Sequence, residues 1–436
     1  MILPFATIGS KLFFCSLADR HRAYRSFFIV FLISALIGYG SFGVLPFFVE
    51  PQPKEAGLNH ITWTLICLMT SVATLSMSVI SCLSDAFAMN SSKRHNTSYG
   101  SIRLWGTLGW GATSFILAFI NQTDKLPLLV PGLILTIGLL SLDILFAIFW
   151  PYRDDFKLDR SSSDIDQETY GTTSEIETSV QELSVQTNNN KQQEQHRDIS
   201  NVSIQWLLFK EVATRRKSLY RYMCLFIISG ALISLQWSYF FLFLKNIYSN
   251  DFSYISGLSM VAQSMIGELP FFILSSYIVK KLGRMHTLSI SIISIGLRYL
   301  LYRYLLPNAS MYFVLLTESF QGPNFGLFYV VMTEVGLDYS TCEDAIASAV
   351  DKGLIANNPN EIKKLRQSLR ATMQSLMGAC YEGLGLGVGS LIGGLVIDNY
   401  GFDNLWFYSA IIAIALGLVN FLVELVIQSK CLYVVS

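Results

Sequence analysis

The sequence predicts an all-α, polytopic membrane protein with about eleven transmembrane helices, and three observations predict it. The 436 residues are 52% hydrophobic and only 14% charged, with a mean hydropathy of +0.44; soluble domains carry roughly 25% charged side chains. The charges are also unevenly placed, 21 of them falling in residues 151–217. Finally, apolar runs of about 20 residues, the length a helix needs to cross hydrocarbon, recur along the rest of the chain. Helices are the expected spans, because lipid cannot satisfy open sheet edges, and barrel strands are half as long and alternate strictly.

Taken in order, the apolar runs fall at about 1–18, 26–49, 60–84, 100–120 and 128–150, then 219–245, 253–279, 286–306, 310–335, 371–398 and 403–428. The first contains Lys11 and is the weakest span. The division is therefore a helical bundle over 1–150, a polar loop over 151–218, a second helical bundle over 219–429 and a short tail over 430–436. The loop includes runs such as Asn188-Asn-Asn-Lys-Gln-Gln-Glu-Gln and has little apolar content before Ile204. It cannot bury enough surface to offset its ordering entropy and reads as disordered.

Basic residues near span ends stay on the cytoplasmic side. Arg20, Arg22 and Arg25, then Lys93, Arg94 and Arg103, then Lys280, Lys281 and Arg284, and finally Lys352, Lys363, Lys364, Arg366 and Arg370 occupy connections of one parity. That parity places the loop 151–218 and the C-terminus in the cytosol. In the connection 336–370, Asn358, Pro359 and Glu361 make a helix start. Ile362, Leu365, Leu369, Met373 and Leu376 continue it at helical spacing.

Several function classes are excluded or disfavoured. Seven scattered cysteines with no C-x-x-C spacing indicate neither a disulfide framework nor a zinc site. Five dispersed histidines make no metal constellation, so no metal and no cofactor is expected. A net charge of zero gives no reason to expect a nucleic-acid partner. Without a nucleotide-binding loop or a catalytic triad, the chain does not read as an enzyme.

Ionisable groups at membrane depth are the sharper signal, because each is costly unless paired, wet or neutral. The candidates are Lys11, Asp143, Glu268, Arg298, Glu318, Glu382 and Glu424, of which Asp143 and Glu424 lie within two turns of a cytosolic end, where they can reach water. Glu268 is followed by Pro270, which frees a backbone carbonyl. Burial raises a carboxyl pKa toward neutrality, so Glu268, Glu318 or Glu382 is a candidate for proton exchange, with Lys11 or Arg298 as counter-charge. Two alternatives remain open: fixed ion pairs that pin helices together, and an Arg298 that snorkels to the outer face. Gln236, Trp237, Gln263, Gln321, Asn324 and Tyr381 are polar or aromatic groups suited to lining a solute cavity, or to joining helices. Gly385, Gly389 and Gly393 share one helix face at four-residue steps and suit close helix packing.

Three stretches carry a family resemblance. Ser10-Lys-Leu-Phe-Phe-Cys-Ser-Leu-Ala-Asp-Arg resembles the loop after the second helix of the major facilitator superfamily. Tyr99-Gly-Ser-Ile-Arg-Leu-Trp-Gly-Thr-Leu-Gly-Trp-Gly, and Tyr381-Glu-Gly-Leu-Gly-Leu-Gly-Val-Gly-Ser-Leu-Ile-Gly-Gly with Tyr400-Gly401, resemble the major facilitator superfamily domain-containing protein 6 group of the sugar- and nucleoside-permease-like branch. The resemblance implies a two-bundle major-facilitator fold. Residues 1–150 correspond to helices 2–6 of a twelve-helix plan, so the chain reads as lacking the first, and 219–429 correspond to helices 7–12. It also implies a cytosolic latch of Asp19 and Arg20, with Asp85 facing Arg103 across a helix boundary.

The function the resemblance implies is secondary active transport of a small organic solute by alternating access, with proton symport as one form of coupling. The expected partners are the lipid bilayer, the solute and H+, and the expected location is the plasma membrane rather than an organelle. The alternatives are a cell-surface receptor on a transporter scaffold and a transport-inactive truncated form.

Overall fold

The computed structural model describes residues 9–10, 13–14, 17–18, 24–48, 60–94, 99–121, 129–149, 214, 216–249, 251–340, 373–374 and 376–435. Among the described residues all regular structure is helical. The first part holds α1 (Tyr24–Phe48), α2 (His60–Arg94), α3 (Tyr99–Asn121) and α4 (Leu129–Phe149). Leu32 and Ala35 of α1, Ile80 of α2, and Leu140 and Ala147 of α4 form a buried core, and Ser34 and Ser76 hydrogen-bond across α1 and α2 at 2.9 Å. The outward faces are as apolar as the core. Val30, Ile37, Leu68, Ile134 and Phe146 are all exposed, the arrangement expected where the surrounding solvent is lipid.

Arg25 closes the lower end of this group. Its Nε donates to the Ala147 carbonyl at 3.0 Å and its Nη2 to that of Ile148 at 2.5 Å. These are last-turn carbonyls of α4 that no intrahelical N–H reaches, at the end of the helix where the dipole favours a cation.

The second part begins with α5 (Ser218–Ile247). Next, α6 (Phe252–Val261) passes through a π-helical turn at Ala262–Glu268 into α7 (Leu269–Leu282). Gly283, at φ 82°, turns the chain into α8 (Arg284–Tyr304). Then α9 (Phe313–Ser319) leads through a second π-helical turn, Gly322–Leu327, into α10 (Phe328–Ser340). A third, Ala379–Gly385, opens α11 (Leu386–Val435), which breaks at Gly401, φ 77°. Gly401 thus divides α11 where the apolar pattern separates its last two runs. Pro270 sits in the first turn of α7 and Pro323 in the second π-helical turn. Proline has no N–H to return to the preceding turn, so the hydrogen-bond ladder changes register there.

Six stretches among the described residues are long and apolar enough to cross a membrane: Arg25–Gly43, Thr64–Asp85, Val130–Phe149, Ser218–Ile247, Tyr254–Leu282 and Leu376–Ser429. The last is counted once although it turns at Gly401. Of the others that the apolar pattern marks, α8 carries Arg284, His286, Arg298 and Arg303, which lower its mean hydropathy. The run 1–18 lies mostly outside the described residues.

By packing, the chain separates into two units, residues 1–156, 224–333 and 378–436 in one, and 157–223 and 334–377 in the other. In the first, α5 and α11 approach closely: a Cβ on Gly385 would lie 2.8 Å from the Gly230 Cα, and Gly393 faces Leu235 and Tyr239. Tyr239 donates to the Ser390 carbonyl at 2.5 Å. In the second, Ser218 Oγ and Tyr339 OH are 2.6 Å apart, and the Tyr222 and Tyr339 rings are 6.1 Å apart. The polar loop, apart from residues 214 and 216–218, and the helix read over 358–372 lie outside the described residues.

Candidate functional site: a buried polar centre

The centre is built around Arg298, midway along α8 and fully buried. A guanidinium far from water must satisfy its protons from protein, and three side chains from α5 and the α9 segment supply acceptors. Nη1 donates to Gln236 Oε1 of α5 at 2.8 Å and to Gln321 Oε1, just after α9, at 2.6 Å. Nη2 pairs with Glu318 Oε2 of α9 at 2.5 Å. Nε has no hydrogen-bond partner among the described residues. The alternative in which Arg298 reaches the outer face is corrected: the side chain is enclosed, and three polar neighbours hold it inward.

Glu318 is equally buried and saturated. Its Oε2 also accepts from Gln263 Nε2, on the first π-helical turn, and its Oε1 accepts from Tyr302 OH at 2.5 Å. Tyr302 lies four residues beyond Arg298, on the same face of α8, and Arg298 also stands over its ring at 5.6 Å. A carboxylate that already accepts from an arginine, an amide and a phenol has little capacity left for a solute.

Glu268 differs. It ends the π-helical turn Ala262–Glu268 and is only partly buried. Its Oε1 accepts from Gln321 Nε2 at 3.3 Å and its Oε2 from Thr107 Oγ1 of α3 at 3.5 Å. Gln321 therefore joins Glu268 to Arg298, and Thr107 joins it to the first half of the chain. Glu268 forms no ion pair among the described residues.

Beside this centre, Arg103 of α3 lies 3.7 Å from Asp85 of α2, and Tyr329 of α10 donates to Asp85 at 2.8 Å. Arg103 also stands 5.5 Å from the centroid of the Tyr329 ring. Trp237, half exposed, is 5.9 Å from the ring of Phe325, which is 5.4 Å from that of Tyr329. Asn324 is buried on the second π-helical turn, and Tyr381 is buried on the third with its ring 4.9 Å from Phe328. Neither Asn324 Oδ1 nor Tyr381 OH has a hydrogen-bond partner among the described residues.

Of the residues expected from the sequence, Gln236, Gln263, Glu268, Arg298, Glu318 and Gln321 thus converge on one centre. Trp237 and Asn324 make no hydrogen bond to it among the described residues, and Glu382 is half-buried, next in sequence to Tyr381. Gly385, Gly389 and Gly393 face α5; Gly389 abuts Ala231 and Ser234. Lys11, Asp19 and Arg20 lie outside the described residues. Tyr302, Thr107 and Tyr329 were not expected. The i, i+4 spacing of Tyr302 from Arg298 is the signal that finds the first; nothing local in the sequence marks the other two.

A polytopic helical membrane protein of the major-facilitator fold is therefore the class that fold and centre define. The chain belongs to the MFS_1-like family, whose model matches residues 1–342. Solved structures with the same fold include a point mutant of the nucleoside transporter NupG, with a TM-score of 0.59 and 14% identity over 96% of this chain and 89% of that one. NupG itself is similar at a TM-score of 0.56 and 14% identity, over 96% and 87% of the two chains. A POT family transporter in complex with 5-aminolevulinic acid is similar at 0.56 and 12% identity, over 96% and 85%. No curated protein matches the chain.

Proposed function

We propose that the protein moves a small organic solute across the membrane by alternating access, with Glu268 as the group that exchanges a proton. The observation that carries this reading is the unequal treatment of two acids in one centre. Glu318 is fully buried against Arg298, whereas Glu268 is partly accessible and, among the described residues, held by two neutral donors at 3.3 and 3.5 Å. A fixed pair gives rigidity, and a loosely held carboxylate between the two halves of the fold gives a site whose charge changes as the halves move. Family membership and the transporter fold of the similar structures support the same reading.

The finer assignments belong with this proposal. The Tyr99 and Tyr381 motifs support the major facilitator superfamily domain-containing protein 6 group. The distribution of Lys and Arg supports cytosolic placement of 151–218 and of the C-terminus, and the plasma membrane is the expected location. The division into bundles at 1–150 and 219–429 stands on the same footing.

Reconstitution tests the reading. Proteoliposomes under an imposed pH gradient are expected to accumulate at least one solute from a panel of sugars, nucleosides and organic ions. Glu268→Gln is expected to remove the gradient-driven part while solute exchange at equal pH persists. Uptake that stays proton-driven in Glu268→Gln refutes the assignment of Glu268. Flat uptake across the panel favours the receptor alternative.

A further inference from the structure

The two hydrogen-bond partners of Glu268 differ in what they can do with a proton. Gln321 Nε2 stands 3.3 Å from Oε1, and Thr107 Oγ1 stands 3.5 Å from Oε2. Gln321 is buried and cannot turn its amide over. Its Oε1 accepts from Arg298 Nη1 at 2.6 Å, and a guanidinium has five donors and no acceptor. Arg298 is in turn held by Gln236 at 2.8 Å and Glu318 at 2.5 Å, so the lock does not depend on Glu268. The amide nitrogen is the end left for Glu268. A donor fixed in this way suits a carboxylate oxygen or the carbonyl oxygen of a carboxylic acid, and not the acid's O–H.

Thr107 is under no such constraint. A hydroxyl donates or accepts, and in a helix one that accepts can turn its own proton to the carbonyl four residues back, here that of Arg103. Close backbone packing holds both partners in place. A Cβ on Gly267 would lie 3.1 Å from the Gln321 Cβ, so Gln321 comes directly against the turn that ends at Glu268. A Cβ on Gly111, four residues beyond Thr107, would lie 3.1 Å from the Cβ of Ser264, four residues before Glu268. The Thr107 face of α3 therefore runs along the Glu268 face of the π-helical turn, in register with the contact at Oε2.

We infer that the exchangeable proton of Glu268 is carried on Oε2, the oxygen facing Thr107, and that Gln321 is a positioning residue that keeps Oε1 an acceptor in both protonation states. The inference rests on the reading of Glu268 as the proton-exchanging group and deepens it. On protonation a proton from water forms the Oε2–H bond, which donates to Thr107 Oγ1, while the threonine hydroxyl turns to its own helix. On release that bond breaks, the proton returns to water and the threonine hydroxyl turns back to the carboxylate. Thr107 neither gains nor loses a proton. The Gln321 N–H bonds more strongly to the carboxylate than to the acid, because a charged acceptor strengthens the bond, so Gln321 favours the ionised form. The other charged or titratable groups that act on Glu268 are Arg103 of α3, Arg298 of α8 and Tyr381. The substitutions below leave all three in place.

Infrared difference spectroscopy of the full chain in detergent, titrated from alkaline to acidic pH, tests this. The Glu268 signal is the carboxylic-acid C=O stretch that appears on acidification and is missing in Glu268→Gln. With the proton on Oε2, the C=O is Oε1, bonded to Gln321, and a C=O that loses a hydrogen bond stretches at higher wavenumber. Gln321→Met, close in length and without a donor, is expected to raise the wavenumber. It is also expected to move the midpoint to higher pH by roughly half to one unit, the worth of one hydrogen bond. Thr107→Val is expected to leave the wavenumber near that of the wild type, and Thr107→Ser to keep both wavenumber and midpoint. A stretch that keeps its wavenumber in Gln321→Met overturns the inference while leaving Glu268 as the exchanging group, and an upshift in Thr107→Val instead puts the proton on Oε1. If Gln321→Met, which also takes an acceptor from Arg298, does not fold, Thr107→Val decides: an upshift overturns the inference and a retained wavenumber supports it. The absence of any Glu268-dependent stretch overturns both the inference and the assignment of Glu268 as the group that exchanges a proton.

Discussion

Arg298 and Glu318 form a pair in which neither partner can be changed alone without cost. Removing one leaves the other charged in an apolar interior, which destabilises by about 3–5 kcal/mol, whereas replacing both with apolar residues of similar volume is often neutral. We therefore expect Arg298→Met or Glu318→Gln to lower the thermal midpoint of the detergent-solubilised protein strongly, and Arg298→Met with Glu318→Leu to recover much of the loss. Additive losses in the double variant would argue against a coupled pair. The sequence made these two residues legible because ionisable groups are rare in apolar runs. It did not reveal that they meet, since partner choice depends on how α8 and α9 rotate against each other. Tyr302 was overlooked because a tyrosine in a membrane helix carries no charge to draw notice. Thr107 and Tyr329 reach their acids from 161 and 244 residues away, and no local pattern encodes that.

At the scale of elements, most helices follow the apolar pattern to within a few residues, because length and composition decide whether a segment suits hydrocarbon. The π-helical turns were only partly legible: Pro270 announced a disturbance at Glu268, and Pro323 marks the second. The third contains Gly383 and Gly385 without a proline, so nothing in the pattern located it. The Gly385, Gly389 and Gly393 face was legible as a small-residue stripe, but its partner was not. Since a Cβ on Gly389 would strike the Ala231 carbonyl and Ser234, Gly389→Ala is expected to force α5 and α11 apart, at a cost of about 1–3 kcal/mol. A thermal-stability assay of the purified protein checks it, and an unchanged midpoint would contradict the close approach. Arg25 read as a marker of orientation; the structure adds a cap. Arg25→Met is expected to cost about 1 kcal/mol through the lost α4 terminus, measured in the same way.

Across the whole molecule, the fold class was legible because a bilayer admits few architectures, and the excess of apolar over charged residues already selects among them. The number of crossings was less so. A helix such as α8 spends its polar residues inward on partners, and its composition alone understates how deeply it is buried. The orientation predicts that an epitope inserted in 151–218 is labelled only after intact cells are permeabilised; labelling of unpermeabilised cells would reverse the topology. One contact bears on the resting state of the entire chain. The Tyr329 hydroxyl fastens α10 to Asp85 in the C-terminal part of α2, so admitting water along that seam requires the tether to part. If the proposed alternating access holds, Tyr329→Phe is expected to shift the dwell times of its two states while leaving Arg298, Glu318 and Glu268 in place, giving a conformationally biased variant for trapping the less populated one.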